Sequence, residues 1–214
     1  MIRNTIAAGV FRNIEELLAF APRKTVIGID IPIGLTEAGP RVCDQLARRL
    51  LGRPRSSSIF PSPIRGILPA VTYRQACSMA AHAGGGGVSC QTWNIVPKIR
   101  EVDDFLEVHS AYKRSLHEVH PEVSFLQWNG GKAMEHGKKT ARGRQDRQRL
   151  VEAFFGHEYD EARSGLPPFG WAHDDLLDAF AVLWTVHRLV CGVAAAIPET
   201  PVLDAHGLRM QIVS

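Results

Sequence analysis

Asp30 closes the run Val26-Ile-Gly-Ile-Asp30, and its surroundings mark it as a chemical residue. Residues 25–31 are continuously apolar and β-branched apart from Gly28 and Asp30, as in a strand buried on both faces of a parallel sheet. An ionised carboxylate at the C-terminal end of such a strand lies where open α/β sheets place ligands. It needs a metal or a basic partner there; the plainer alternative is a carboxylate that caps a turn. In Glu118-Val-His-Pro-Glu122, period two puts Glu118, His120 and Glu122 on one face. They are either three metal-competent groups or the wet side of an edge strand. In His173-Asp-Asp-Leu-Leu-Asp178, Asp174 or Asp175 is a natural N-cap. Asp178 instead precedes Ala179-Phe-Ala-Val-Leu-Trp184, apolar nearly all round and therefore buried. Asp175 and Asp178 stand three apart on one helix face, where they repel each other unless a cation lies between them.

Carboxylates on two strands and a late helix fit Mg2+ or Mn2+, which prefer oxygen ligands. Two such ions activate water and stabilise the leaving oxygen of a phosphodiester. The expected metal ligands are therefore Asp30, Glu118, Asp175 and Asp178, with Glu122 and Asp174 as open additions. None of the nine histidines falls in the H-E-x-x-H pattern of a zinc hydrolase.

Residues 137–149 carry six basic side chains against one acidic, whereas residues 150–178 carry seven acidic and one basic. A basic stripe beside a carboxylate cluster suits a phosphodiester substrate, with cations on the backbone and carboxylates on the metals. Lys138, Lys139, Arg142 and Arg147 are the candidate backbone contacts, with Lys98 as a further one. The competing explanation is a solvated loop and helix face. Gly84 to Gly87 is not a phosphate loop, because no Lys-Ser or Lys-Thr follows it.

These groups need a framework. The pattern predicts strands over 4–11, 25–31 and 115–120, and a terminal edge strand over 208–213. Helices are expected over about 13–20, 40–51, 70–82, 89–105, 143–156 and 174–190, with Pro22 stopping the first. Strands separated by helices indicate an α/β domain with a mixed sheet. The chain reads as one domain over 1–214, with a loop and helical insertion over about 53–110. The four glycines 84–87 form a mobile hinge in that insertion.

Composition sets the outer bounds. The net charge of +3 permits nucleic-acid contact without requiring it. The four cysteines form no C-x-x-C pair, which argues against a zinc module or a disulfide scaffold and for reduced thiols. No apolar run is long enough to span a bilayer and the start lacks a secretory h-region, so a cytoplasmic protein without a membrane partner is expected.

Taken in order, several motifs resemble the domain-of-unknown-function 429 family of predicted nucleases. They are Asp30-Ile-Pro-Ile-Gly-Leu35, Gln91-x-Trp93 with Ile95-Val-Pro-Lys-Ile-Arg-Glu-Val-Asp103, Glu118-Val-His-Pro-Glu122, Lys138-Lys-Thr140, Gly143-Arg-x-x-Arg147 and His173-Asp-Asp-Leu-Leu-Asp-Ala179. The resemblance implies a ribonuclease H-like mixed β-sheet flanked by helices, with carboxylates that bind two Mg2+ or Mn2+. Asp30 would match the acid of the central strand, Glu118 the acid before His-Pro, and Asp175 and Asp178 the last-helix pair. Junction-cleaving relatives of that fold act as dimers, so a homodimer is compatible with the resemblance. One departure stands out: such domains open with a β-hairpin whose first strand carries a metal-binding Asp, and no such segment precedes residue 4. A sheet without that hairpin exposes an edge and lacks one ligand. Two functions follow as expectations, a metal-dependent nuclease and a catalytically silent module that binds nucleic acid or protein. A small-molecule phosphatase using the same carboxylates is a third.

Overall fold

The computed structural model describes residues 6–20, 26–84 and 86–214. Helix α1 (Ile14–Phe20) precedes strand β1 (Ile27–Ile29), followed by α2 (Val42–Leu51), α3 (Tyr73–His82) and α4 (Cys90–Val108). Strand β2 (Leu116–Val119) leads into α5 (Pro121–Trp128), α6 (Ala141–Phe155), α7 (His157–Ser164) and α8 (His173–Val190). Strands β3 (Ala196–Leu203) and β4 (Arg209–Val213) finish the chain. The sheet order is β1-β2-β4-β3; β1, β2 and β4 run parallel, and β3 is antiparallel to β4. The architecture is α/β, a mixed four-stranded sheet flanked by helices.

Local chemistry explains where the helices begin. Thr72, Ser89 and Thr140 each accept a hydrogen bond from a backbone N–H three residues on, capping α3, α4 and α6. Pro121 opens α5 at a position where its missing N–H costs nothing. Helix α8 lies close over β1 because Gly28 has no side chain: a Cβ there would come within 2.6 Å of Val182. On its other flank α8 joins α5 and α6 through an aromatic core in which Trp128 stacks on Trp184 with ring centroids 4.9 Å apart. That packing fixes the α8 carboxylates relative to the sheet.

Two strand expectations need correction. Residues 6–11 form no strand, and residues 4 and 5 lie outside the described residues. Ile6 and Ala8 pack instead against the α8 core cluster, while small Ala7, Ala8 and Gly9 offer a sheet little to hold. The expected edge strand at 208–213 is interior, because β3 covers it. Strand β3 was masked by Pro198 and Pro201, residues tolerated on an edge. Pro22 and Gly85 lie outside the described residues. Between 53 and 110, two short 3-10 turns (Arg55–Ser58 and Arg65–Ile67) precede α3 and α4. Ile67, Ala76 and Val96 from this stretch share a buried cluster with Leu35, so it packs on the sheet domain. Among the described residues, no helix is long and apolar enough to cross a membrane.

Candidate functional site

The register of the sheet creates the site. Ile29 pairs with Glu118, so Asp30 emerges from β1 beside the end of β2, where the chain turns through His120 into α5. A cleft of about 380 Å3 opens there, lined by Asp30, Arg55, Glu118, His120, Glu122, Lys138 and Lys139. A wider, largely apolar cavity of about 720 Å3 adjoins it; Asp30 and Lys138 line both, and Asp175 and Asp178 line the wider one.

One wall of the cleft is electrostatically closed. Arg41, 1% exposed, donates to both oxygens of Glu118 at 2.7 Å and to Asp44 at 2.6 and 3.2 Å. It also reaches the Ile33 and Gly34 carbonyls at 3.0 and 3.2 Å. Glu118 accepts a further hydrogen bond from the Ile33 N–H at 2.7 Å. Burial works against the Arg41 charge, but Glu118 and Asp44 outweigh it and hold the guanidinium protonated. Glu118 thus ties β2 to the turn after Asp30. This is a role in positioning, built from charge-assisted hydrogen bonds.

The other wall is open. Lys138 donates to one oxygen of Asp178, while the other oxygen, Oδ1, is buried without a partner among the described residues. Burial pushes the Asp178 carboxyl up to about 6, opposed by Lys138 and reinforced by Asp30 and Glu122. Asp30 stands in reach of water at the cleft floor but is crowded by protein. That desolvation raises its pKa, again against the pull of Lys138. Burial also opposes the Lys138 ammonium, yet Asp178, Asp30 and Asp174 outweigh it and raise its pKa. His120 and Glu122 each leave one buried atom, Nδ1 and Oε2, without a hydrogen bond among the described residues. Burial lowers the His120 pKa, favouring the neutral imidazole that can act as a ligand. Buried polar atoms are normally paired, so those left over on His120 and Glu122 in the cleft and on Asp178 in the adjoining cavity call for an explanation.

Lys138 and Lys139 are held in place by a frame beneath them. Thr140 donates to the Gly137 carbonyl at 2.8 Å, and α6 presses so closely that a Cβ on Gly143 would lie 2.1 Å from that oxygen. Arg147, fully buried, donates to the His136 carbonyl at 3.0 Å and to Glu122 at 2.6 Å. Its guanidinium therefore belongs to the frame and cannot serve as the expected contact to a nucleic-acid backbone.

The structure brings Asp30 and Asp178 together around Lys138, while the other two expected ligands, though they line the same cleft or cavity, are engaged elsewhere. Glu118 is bound to Arg41. Asp175 accepts the Ala172 N–H at 2.7 Å, capping α8. Asp174 pairs with Lys139 at 2.6 Å. Lys98 pairs with Glu101 at 2.9 Å and does not line the cleft, while Arg142 lies exposed on the first turn of α6. Arg41 and Arg55 went unnoticed in the sequence. An isolated arginine carries no spacing signal, and only the fold puts these two in the cleft.

Among the described residues, no three His, Cys, Asp or Glu side chains are drawn together as a ready-made metal centre. The cation balancing the carboxylates is Lys138. The donor types nevertheless fit a hard divalent ion: the Asp30 and Asp178 carboxylates, with the unpartnered Glu122 oxygen and His120 nitrogen nearby.

No curated protein and no solved structure matches the chain. A family model described as a protein of unknown function, DUF429, matches residues 2–202. The chain belongs to the DUF429 family.

Proposed function

We propose that the protein is a divalent-metal-dependent nuclease with a ribonuclease H-like fold. Asp30 and Asp178 would hold Mg2+ or Mn2+, with Glu122 and His120 as the adjoining donors. The observation that carries this reading is the set of buried atoms without a partner among the described residues, on Glu122 and His120 in the cleft and on Asp178 in the adjoining cavity, with Asp30 lining both. When bound, such an ion supplies an activated water and charge stabilisation for a phosphodiester. Glu118 and Asp175 act in positioning and not as ligands: one pins the chain beyond Asp30, the other fixes the start of the helix that carries Asp178. Lys138 provides the positive charge that a metal would otherwise bring. An ion held by Asp178 would compete with the Lys138–Asp178 contact, and Lys138 would then supply positive charge to a substrate phosphate.

Cleavage of labelled DNA and RNA strands in Mn2+ and Mg2+ tests the proposal. Wild type should cut, and Asp30→Asn and Asp178→Asn should each lower the rate at least about a hundredfold, the scale on which loss of one electrostatic group acts. Equal cleavage by wild type and Asp30→Asn removes Asp30 from the chemistry. The Lys138–Asp178 salt bridge favours the second reading, a silent module whose carboxylates are permanently neutralised. Strand binding that falls steeply with salt, without cleavage in any divalent metal, would establish that alternative.

A further inference from the structure

Arg41, Arg65 and Arg147 each meet at least one carboxylate within 2.7 Å. Half-buried Arg48, Arg100, Arg188 and Arg209 meet no carboxylate among the described residues, but each donates to a backbone carbonyl. Arg55, in the first short 3-10 turn, lines the cleft, yet among the described residues no carboxylate lies within ion-pair distance of it. Its Nε is buried and has no hydrogen-bond partner among the described residues. The guanidinium rests on the lysine turn: a Cβ on Gly137 would stand 3.1 Å from its Nη1. Arg55 is therefore a half-buried cation against the Gly137 turn that leads into Lys138 and Lys139, and Ser58 and Ser62 line the same cleft. A partly desolvated guanidinium without a carboxylate is a site for an external anion, and its planar fork matches two phosphate oxygens.

We propose that Arg55, with Lys139, forms a phosphate-binding subsite at the rim of the cleft that seats the phosphate group of the substrate next to the carboxylate wall. The substrate class rests on the nuclease reading, but the subsite itself does not. It depends on an anion-ready arginine, whether or not the carboxylates catalyse anything.

The test separates binding from chemistry by working in EDTA. A labelled single strand of about twelve nucleotides is titrated against the full chain, with inorganic phosphate as competitor, over a range of salt. Arg55→Gln should weaken strand binding about tenfold and reduce the slope of log affinity against log salt by about one. Arg55→Lys should recover part of the loss, because charge returns without the fork. Gly137→Val keeps every charge but crowds the guanidinium, and it should weaken binding in the same direction as Arg55→Gln by a smaller factor. Arg74→Gln, an equal change of charge on exposed α3 away from the cleft, should stay within about twofold of wild type. Melting temperatures of all variants establish that they are folded, and Gly137→Val supplies the answer if Arg55→Gln does not fold. Phosphate competing with a strand assigns the subsite to nucleic acid. Phosphate binding that depends on Arg55, with no strand binding, assigns it to a small phosphorylated molecule. Wild-type affinity in folded Arg55→Gln, or in Gly137→Val where it replaces that variant, overturns the proposal. Absence of cleavage by a chain that still binds strands through Arg55 refutes only the nuclease reading.

Discussion

The two walls of the cleft hold buried charges of similar kind and treat them in opposite ways. Around Arg41, two carboxylates and two carbonyls converge on one guanidinium, and both Glu118 oxygens are engaged. Around Asp178, one lysine serves a crowded carboxylate group, and among the described residues no partner reaches one oxygen or nitrogen atom on each of three side chains. A closed cluster orders the backbone and leaves no capacity for a ligand. An open one costs stability, because desolvated groups lack partners, and retains the capacity to bind. The difference separates the acidic residues by their partners: Glu118 and Asp44 structure the cleft, whereas Asp30 lines both the cleft and the adjoining cavity and Asp178 lines the latter.

Breaking the closed wall should have the largest effect. Arg41→Met leaves Glu118 and Asp44 buried without their counter-ion and should destabilise by about 3–5 kcal/mol in urea unfolding. Adding Glu118→Leu to Arg41→Met should recover part of that loss, since exchange of a whole buried pair for apolar groups is often near neutral. The frame under the lysines comes next. Gly143→Ala puts a methyl into the Gly137 carbonyl and should cost about 1–3 kcal/mol, as overpacking does, while weakening strand binding. At the open wall the sign changes: Asp30→Asn removes a carboxylate from a crowded acidic group, and its stability should match or slightly exceed wild type. A melting temperature several degrees lower would mean that Asp30 is structural and the contrast between the walls is wrong.

The smallest effect tests a titrating group on β2 outside both clusters. Burial, reinforced by Arg209, lowers the His117 pKa to about 4 from 6.5. The unfolded chain then takes up the proton first, so this residue's stability contribution is present at neutral pH and is lost as pH falls from about 6.5 towards 4. His117→Gln should match wild type in its pH dependence above pH 7 and lose less stability on acidification. Parallel curves down to pH 4 would show that His117 is not held neutral by the fold.

Much of this site was legible in the sequence where a residue contradicted its context. Asp30 in an apolar strand and Asp178 in an apolar helix both carried that signal, and both reach the same centre. Lys138 and Lys139 were visible as a charge run, although their pairing with the α8 carboxylates was not. Period two failed for Glu118, His120 and Glu122, because β2 ends at Val119 and Pro121 starts a helix. Even so, all three side chains line one cleft, brought there by the strand-to-helix turn. Arg41 and Asp175 show the limit most clearly. A guanidinium's partners lie as far as 77 residues away, and a capping carboxylate has the same composition as a ligand. Strand β3 was hidden by its prolines, whereas β1 falls inside the apolar run 25–31 that the sequence marks as a strand.

Calorimetric titration of Mn2+ into metal-free protein tests the central claim most directly, that the open wall is a divalent-cation site. The account predicts saturable binding to wild type, its loss in Asp30→Asn and Asp178→Asn, and tighter binding in Lys138→Met, where the competing ammonium is gone. No heat of binding in either wild type or Lys138→Met, in protein shown to be folded, would contradict it.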